Sequence, residues 1–250
     1  QLSRLLVENR EFEVFLACLN DEGVLRQEIE AFGFSNIPEF KLESFFSIGF
    51  LKQVRKFAAY IRQNNIEIVQ THDFYTNIFG MFAAMLARVP LKIASKRETG
   101  GMRSKSQKMI EKLAFRTANE IVVNAAAVKN YLISEGVTAN KINVIYNGLD
   151  LERLTPKEMD RVKILAEFGL PKGETLKFIT LVANLRHEVK NQPMFLRAAK
   201  KVIEEFPNAH FVLAGEGELK SSLENLAKEF QIVENTHFIG RCTKIPELLS

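Results

Sequence analysis

Short apolar runs alternate with longer amphipathic runs along most of the chain. The short runs are rich in β-branched side chains, which is typical of strands, whereas the longer runs repeat apolar residues at helical spacing. The predicted strands are Glu13–Leu19, Ile66–Thr71, Leu91–Ser95, Glu120–Asn124, Ile142–Tyr146, Leu176–Ala183, His210–Ala214 and Thr236–Ile239. The predicted helices are Val24–Ala31, Phe45–Gln63, Phe74–Ala87, Lys105–Thr117, Ala126–Ser134, Lys157–Phe168, Gln192–Phe206, Leu219–Phe230 and one that starts near Lys244. Regular alternation of this kind predicts an α/β fold with parallel sheets and crossover helices.

The alternation stops at the segment NGLDLERLTP, residues 147–156, and then restarts. We therefore predict two α/β domains, residues 1–152 and 153–250. Leu2–Asn9 has the pattern of a helix with no strand before it, and the chain stops at Ser250 inside a predicted helix. We expect the chain to be a piece of a longer protein, with the first strand of the first domain missing and the second domain truncated.

The composition is that of an ordinary globular protein, with 46% hydrophobic and 26% charged residues among 250. The longest wholly apolar run is Ile78–Ala87, and its ten residues are too few to span a bilayer, which needs about 20. Cys18 and Cys242 lie far apart, with neither zinc-site spacing nor a disulfide framework. These features favour a reducing, cytoplasmic setting.

The net charge of +4 is concentrated in one segment. Arg88–Arg116 contains nine Lys or Arg residues and two acidic ones, which indicates a localised anionic partner and not a general nucleic-acid surface. We interpret this basic patch as a surface for anionic lipid headgroups or an anionic acceptor; an ordinary solvated helix face is the alternative. We expect the four helical cations to be mostly exposed and to form few ion pairs. The patch comprises Arg97, Arg103, Lys105, Lys108, Lys112 and Arg116, the last four on one face of the predicted helix.

Cations also follow the predicted strand Leu176–Ala183, where Arg186 and Lys190 precede the next helix. Ligands of open parallel sheets bind beyond the carboxyl ends of the strands. The free N–H groups and partial positive charge of a helix N-terminus would add to the two cations. This arrangement suits a pyrophosphate, although a solvated loop with incidental cations is the simpler alternative.

Other predicted strand ends carry further candidate residues. Gly215 and Gly217 permit a tight turn or the close approach of a ligand, but the third glycine of the dinucleotide fingerprint is absent. Asn147 and Gly148 form another such turn, and His72 follows the strand Ile66–Thr71. A lone histidine there is more often structural than catalytic, so His72 is a candidate by position only.

Six segments in order resemble the family 4 glycosyltransferases (glycosyl transferases group 1). They are IVQTHD, ANEIVVNAAAV, NKINVIYNGLD, ITLVANLRHEVKNQPMFLRAA, FVLAGEGELKSSLENLA and THFIGRCTKIPELLS. The resemblance covers most of the chain. It implies the glycosyltransferase B fold, in which an acceptor-side and a nucleotide-sugar-binding Rossmann-like domain face each other across a cleft. It also implies hexosyl transfer from a nucleotide sugar with retention of configuration, without a metal or other cofactor.

The resemblance implies a role for each candidate residue. Arg186 and Lys190 match the pair that holds the donor diphosphate, and His72 matches a catalytic histidine near the transferring sugar. Further matches lie near the nucleotide, at Gly215, Gly217 and Arg241, and at the turn before the interdomain linker, at Asn147 and Gly148. The expected acceptor is a sugar, a lipid-linked sugar or a polysaccharide, in cell-surface polysaccharide or glycolipid assembly at the inner face of the membrane.

The chain also departs from the family pattern. It lacks the family's glycine-rich loop after the first strand and the Glu-(seven residues)-Glu segment, and it has Asn184, Asn191 and Ala125 where Gly, Gly and Ser are common. We therefore expect this chain alone to be inactive and the full-length protein to be active. Two alternatives stay open: a nucleotide-sugar epimerase, and a catalytically silent nucleotide-binding or interaction module.

Overall fold

The computed structural model describes residues 2–22, 26–42, 44, 47–99, 103–157 and 160–250. The chain divides into two compact units, Gln1–Asn147 and Gly148–Ser250. Each unit has its own sheet, and all the strand pairs in both sheets are parallel. The predicted α/β class with parallel sheets is therefore confirmed.

The first unit contains a four-stranded sheet in the order β1-β2-β3-β4. Aromatic rings join its helices α3 and α4, where Phe57 stacks on Phe79 with centroids 5.3 Å apart and both rings contact Phe40. This packing fixes α4 against α3. The strands are β1 Ile68–Gln70, β2 Leu91–Lys96, β3 Glu120–Val123 and β4 Ile142–Val144, and the helices are α1 Leu2–Asn9, α2 Arg26–Ala31, α3 Ile48–Gln63, α4 Phe74–Ala87, α5 Lys105–Thr117 and α6 Ala126–Ser134.

The second unit contains a three-stranded sheet in the order β5-β6-β7. Its core includes Leu185, Leu196 and Leu213, which are almost fully buried between the sheet and the helices α8 and α9. The strands are β5 Lys177–Val182, β6 Ala209–Ala214 and β7 Thr236–Gly240, and the helices are α7 Arg161–Glu167, α8 Gln192–Glu205, α9 Lys220–Glu229 and α10 Ile245–Leu248. No helix within the described ranges is both long and apolar enough to cross a membrane.

One predicted strand is wrong. Glu13–Leu19 forms no strand, and among the described residues its one isolated bridge joins Cys18 to Glu39. The N–H of Cys18 donates to the Pro38 carbonyl oxygen at 3.1 Å, and the N–H of Phe40 donates to the Cys18 carbonyl oxygen at 2.9 Å. A strand requires a continuous ladder with a neighbour, and the described residues provide this segment with one rung only. The segment thus has the side-chain pattern of a strand, but the described residues include no partner strand for it.

Several predicted helix starts are also shifted. The helix predicted from Lys157 begins at Arg161, because Asp160 caps it by accepting from the N–H groups of Val162 and Lys163. The long helix predicted from Phe45 begins at Ile48 after the cap Ser47. The parts of the predicted helices at Val24, at Phe45 and at residues 158–159 lie outside the described residues.

Candidate active site

The carboxyl ends of β5, β6 and β7 lie at one edge of the second sheet, because these strands are parallel neighbours. The loop after β5 carries Arg186 and Lys190, the turn after β6 contains Gly215 and Gly217, and Arg241 follows β7. The second unit therefore brings together all five residues that the sequence predicted for the donor side. Their roles in binding stay a prediction.

The two glycines allow the first two loops to interlock. A Cβ atom at Gly215 would collide with the Ala183 carbonyl oxygen, and one at Gly217 would collide with the backbone of Leu185. The Leu185 N–H donates to the Glu216 carbonyl oxygen at 2.9 Å, while the Leu185 carbonyl oxygen accepts from Leu219 at the same distance. Close backbone packing thus explains why glycine occupies both positions. That packing fixes the start of the loop that carries Arg186.

The cations at this edge are unneutralised within the described structure. Arg186, Lys190 and Arg241 are exposed, and no described carboxylate forms an ion pair with them. Glu216 and Glu218 are exposed on the neighbouring turn. Exposed cations beside an interlocked backbone can meet an anionic ligand without first breaking a described salt bridge.

The start of α8 offers fewer donors than the sequence predicted. Its cap Asn191 lies in the left-handed region at φ 49°, and its side chain makes no capping bond. Pro193 has no N–H, and the N–H of Met194 already donates to the Asn191 carbonyl oxygen at 3.0 Å. Gln192 is therefore the one among the first three helical positions whose N–H makes no described hydrogen bond. The Arg and Lys side chains, more than the helix terminus, must supply positive charge here.

Gln192 is a residue that the sequence analysis missed. It is fully buried, and its Nε2 donates to the Asn184 carbonyl oxygen at 2.9 Å. Its Oε1 is buried with no partner among the described atoms. The contact ties the first helical residue of α8 to the other end of the cationic loop. The sequence offered one signal for this role, which is a polar residue at the first position of a predicted amphipathic helix.

In the first unit, a buried polar network begins at Thr71, the residue before His72. Thr71 Oγ1 donates to Asn77 Oδ1 at 2.6 Å, and Asn77 Nδ2 donates to the Ser95 carbonyl oxygen at 2.8 Å. These bonds join the end of β1 to α4 and β2. Asp73 then caps α4 in a capping box with Thr76, whose hydroxyl also accepts from the His72 N–H at 3.2 Å. The backbone of His72 is thus fixed between the strand end and the helix start.

The electrostatic surroundings of His72 favour its neutral form. The residue is exposed in part, but surrounding protein removes water from the ring, and this desolvation lowers the pKa of His72. The positive charge of Arg97, which follows β2, lowers the same pKa further, while Asp73 acts in the opposite direction. A neutral imidazole can accept a hydrogen bond from a hydroxyl group.

The basic patch is not the uniform exposed face that we expected. Lys105 and Arg116 are exposed, but Lys108 and Lys112 are half-buried, so the expectation is wrong for these two. Lys108 Nζ lies 3.6 Å from a Glu135 carboxylate oxygen, and hydrogen bonding to Tyr131 raises the pKa of Lys108. The lysines pack against the neighbouring helix α6 because their long side chains cover apolar surface there.

Arg103 is also engaged inside the unit. Its guanidinium lies 4.0 Å from the centroid of the Phe74 ring and 3.0 Å from a Glu98 carboxylate oxygen. The second acid of the basic segment, Glu111, forms a buried ion pair with Lys96, with Nζ 2.9 Å from both carboxylate oxygens. Both acids of the segment are therefore paired, and Arg103 stabilises the structure around the start of α4.

Asn147 and Gly148 are exposed and lie where the two compact units meet in the chain. His72 and Arg97 belong to the first unit, whereas Arg186, Lys190, Gly215 and Arg241 belong to the second. The predicted cleft between the halves stays a prediction.

Two family models match the chain and together cover most of it. Glycosyltransferase Family 4 matches residues 1–153, and Glycosyl transferases group 1 matches residues 163–250. The chain belongs to glycosyltransferase family 4. The resemblance stated from the ordered motifs is thereby confirmed.

Two relatives whose names specify a transfer reaction align with nearly the whole of this family 4 chain. The UDP-Gal:alpha-D-GlcNAc-diphosphoundecaprenol alpha-1,3-galactosyltransferase of Escherichia coli is 28% identical over 98% of this chain and 65% of its own length. The N,N'-diacetylbacillosaminyl-diphospho-undecaprenol alpha-1,3-N-acetylgalactosaminyltransferase of Campylobacter jejuni is 24% identical over 97% of this chain and 66% of its own length. The chain thus spans a little under two thirds of the length of these relatives.

A solved structure supports the fold. Alr3699/HepE of Anabaena in complex with UDP-glucose is 18% identical, with a TM-score of 0.82 over 99% of this chain and 66% of its own. At this identity the likeness shows the fold alone. The predicted glycosyltransferase B fold, with two Rossmann-like units, is confirmed.

Proposed function

We propose that this chain is part of a retaining glycosyltransferase that moves a hexosyl group from a UDP-sugar to a lipid-linked sugar acceptor. We assign the reaction to cell-surface polysaccharide or glycolipid assembly, at the cytoplasmic face of the membrane. The family supports the reaction class. The UDP-glucose held by HepE and the diphosphoundecaprenol-linked substrates named for the two relatives support the donor and acceptor classes.

The observation that carries the proposal is the cationic carboxyl edge of the second sheet. Arg186, Lys190 and Arg241 follow two strands that flank the glycine turn of β6, and all three are exposed without a described ion pair. Breaking the bond between the sugar and UDP leaves additional negative charge on the diphosphate. Fixed cations that meet this charge stabilise the transition state more than the bound donor.

We assign His72 to the acceptor side, near the transferring sugar. Its backbone is fixed by the α4 capping box, and its ring is held neutral by desolvation and by Arg97. A neutral imidazole can orient a sugar hydroxyl by accepting its hydrogen bond, and Arg97 can attract the phosphate of a lipid-linked acceptor.

A transfer assay tests this proposal. The protein expressed from its complete gene is incubated with each of a panel of UDP-sugars and a synthetic polyprenyl-diphosphate sugar. We expect one UDP-sugar to give a product in which the anomeric configuration of the donor is retained, as measured by NMR. Nucleotide binding without transfer would favour the silent binding module, and interconversion of UDP-sugars without an acceptor would favour the epimerase.

The absence of a metal requirement is part of the same proposal. The cations at the donor edge can neutralise the diphosphate directly, which is the task that a divalent ion performs in metal-dependent phosphate chemistry. We expect turnover to be unchanged after treatment with excess EDTA and removal of the chelator. A loss of turnover that added Mg²⁺ or Mn²⁺ restores would contradict this part of the proposal.

A further inference from the structure

The outward face of α3 combines exposed aliphatic side chains with cations. Ile48 is 87% exposed and Leu51 is 54% exposed, both in the first turn of the helix. The opposite face packs in the hydrophobic core, where Phe50, Val54, Ala58 and Ile61 are buried. Two large aliphatic side chains at one end of the helix are thus left in contact with water.

The same face carries positive charge over residues 52–56. Lys52, Arg55 and Lys56 are exposed, and α3 contains no acidic residue. None of the three forms an ion pair with a described carboxylate, and Lys56 lies 5.6 Å from the centroid of the Phe40 ring. With about 100° between successive residues, the aliphatic side chains and the three cations share an arc of roughly 140°.

This face differs from the basic face of α5. On α5, Lys108 pairs with Glu135 and both Lys108 and Lys112 are half-buried, so only Lys105 and Arg116 are fully directed to solvent. On α3, Lys52, Arg55 and Lys56 are exposed near the exposed aliphatic side chains, and the fourth cation of the helix, Arg62, donates to the Leu86 carbonyl oxygen at 3.2 Å. The helix α3 is therefore better suited than α5 to contact a surface that is both negatively charged and apolar. The sequence analysis did not select α3.

We propose that the first unit docks peripherally on an anionic lipid bilayer through α3, with Ile48 and Leu51 entering the interface and Lys52, Arg55 and Lys56 meeting lipid phosphates. Charge complementarity favours this occupant, and the aliphatic pair distinguishes it from a nucleic acid or another polyanion, which has no apolar layer to receive these side chains. Because the rest of the apolar face is in the core, the contact is shallow and reversible. This proposal rests on the proposed function in one respect only, which is the identity of the membrane that the protein meets in the cell.

Each half of the surface predicts its own loss of binding. Each cation near an anionic surface strengthens binding about fivefold, so the K52Q/R55Q/K56Q variant is expected to lose roughly a hundredfold in partition coefficient. The I48S/L51S variant is expected to lose at least about tenfold, because two aliphatic side chains no longer leave water. Binding of the unmodified chain falls steeply with salt, because the screening length shortens from about 8 Å to about 3 Å between 0.15 M and 1 M.

The test is co-sedimentation of this chain with vesicles of phosphatidylcholine containing about a third phosphatidylglycerol, compared with pure phosphatidylcholine. The charge-matched control is R197Q/K200Q/K201Q, which removes three exposed cations from α8 in the other unit. The apolar control is V162S/V233S, since these side chains are 58% and 47% exposed in that unit. We expect binding to the anionic vesicles only, with both α3 variants defective, both controls unaffected and all thermal melts similar.

Several outcomes would overturn the proposal. Failure of the unmodified chain to bind anionic vesicles would reject it, as would an equal loss in a control variant. Loss in K52Q/R55Q/K56Q with full binding of I48S/L51S would indicate a surface for polyanions in general. Loss in a K105Q/R116Q variant with normal binding of the α3 variants would move the contact to α5. The assay contains neither donor nor acceptor, so failure of the proposed transfer reaction leaves its result intact.

Discussion

At the residue scale, the protonation of His72 depends on its neighbours. The pKa of His72 is below its ordinary value of 6.5, first because of desolvation and then because of Arg97. If transfer needs the neutral ring, activity persists as the pH falls through 6.5 and is lost only at lower pH. We expect Arg97→Gln to move this acidic limb of kcat/KM upward, because the variant removes a charge that opposes protonation. Lys200→Gln, an exposed change in the other unit, is the control, and a limb that stays in place in Arg97→Gln would contradict the assignment.

Gly215 offers a second residue-scale prediction, on stability. An alanine there would place its Cβ against the Ala183 carbonyl oxygen, in backbone that cannot retreat because the two loops interlock. We expect Gly215→Ala to lower the free energy of unfolding by about 1–3 kcal/mol, measured by urea denaturation. Gly148→Ala is the matched control, since no atom lies within 4 Å of the point that a Cβ would occupy there, and it should change stability by less than about 0.5 kcal/mol. Equal stabilities of the two variants would show that the loops are not held by this contact.

At the scale of elements, the sequence predicted best where periodicity and caps agree. The helices Phe74–Ala87 and Lys105–Thr117 have the predicted bounds, because Asp73 and Ser104 each form a capping box at the expected start. Ala126–Ser134 also matches, although its cap Ala125 makes no side-chain bond. Local signals are sufficient where the chain itself supplies the bonds that begin a helix.

The errors concern interactions between distant parts of the chain. The pattern of Glu13–Leu19 could not show that the described residues supply no continuous neighbouring strand, and the spacing of Lys108 could not show that Glu135 lies beside it. Gln192 likewise acquires its role from the Asn184 carbonyl oxygen across the loop. The sequence therefore predicted which residues follow the strands, but not which cations of α5 stay exposed and unpaired.

Two histidines on neighbouring strands give an element-scale prediction. His210 on β6 and His237 on β7 lie with Nδ1 and Nε2 2.9 Å apart, and desolvation lowers the pKa of each. The charge of His210 lowers the pKa of His237 further, while Glu234 raises it. Because the folded pKa lies below the unfolded one, this pair contributes stability that is full above about pH 6.5 and is lost as the pH falls toward the folded pKa.

We therefore expect the urea midpoint to drop between about pH 7.5 and pH 5.5, and to drop less in the H210Q/H237Q variant. His72 contributes to the same trend, because its pKa is also lowered. The pH dependence of the urea midpoint is therefore measured in a His72→Gln variant as well. The same pH dependence in H210Q/H237Q as in the unmodified chain would show that the histidine pair is not its source.

At the scale of the whole molecule, the candidate residues are divided between two α/β units. Each unit places its candidate residues at the carboxyl ends of parallel strands, which is the edge where such sheets bind ligands. The first unit contains His72, whose pKa is lowered, and the cationic helix α3, and the second contains the exposed cations that we assign to the donor. Glycosyltransferase family 4 membership is shown by the family match, whereas the individual roles are proposals from the family resemblance, charge and position.

The central claim is that Arg186 and Lys190 bind the diphosphate of the donor. Its most direct test is the turnover of Arg186→Ala and Lys190→Ala, made in the protein expressed from its complete gene and checked by thermal melts. The control is Arg197→Ala, an exposed cation on α8 beyond the loop; Asn191→Ala is unsuitable because Asn191 adopts φ 49°. We predict that each loop variant loses about a hundred- to a thousandfold in kcat while the control stays near normal, because these cations meet charge that develops in the transition state. Near-normal turnover in either loop variant, with its fold intact, would contradict the account.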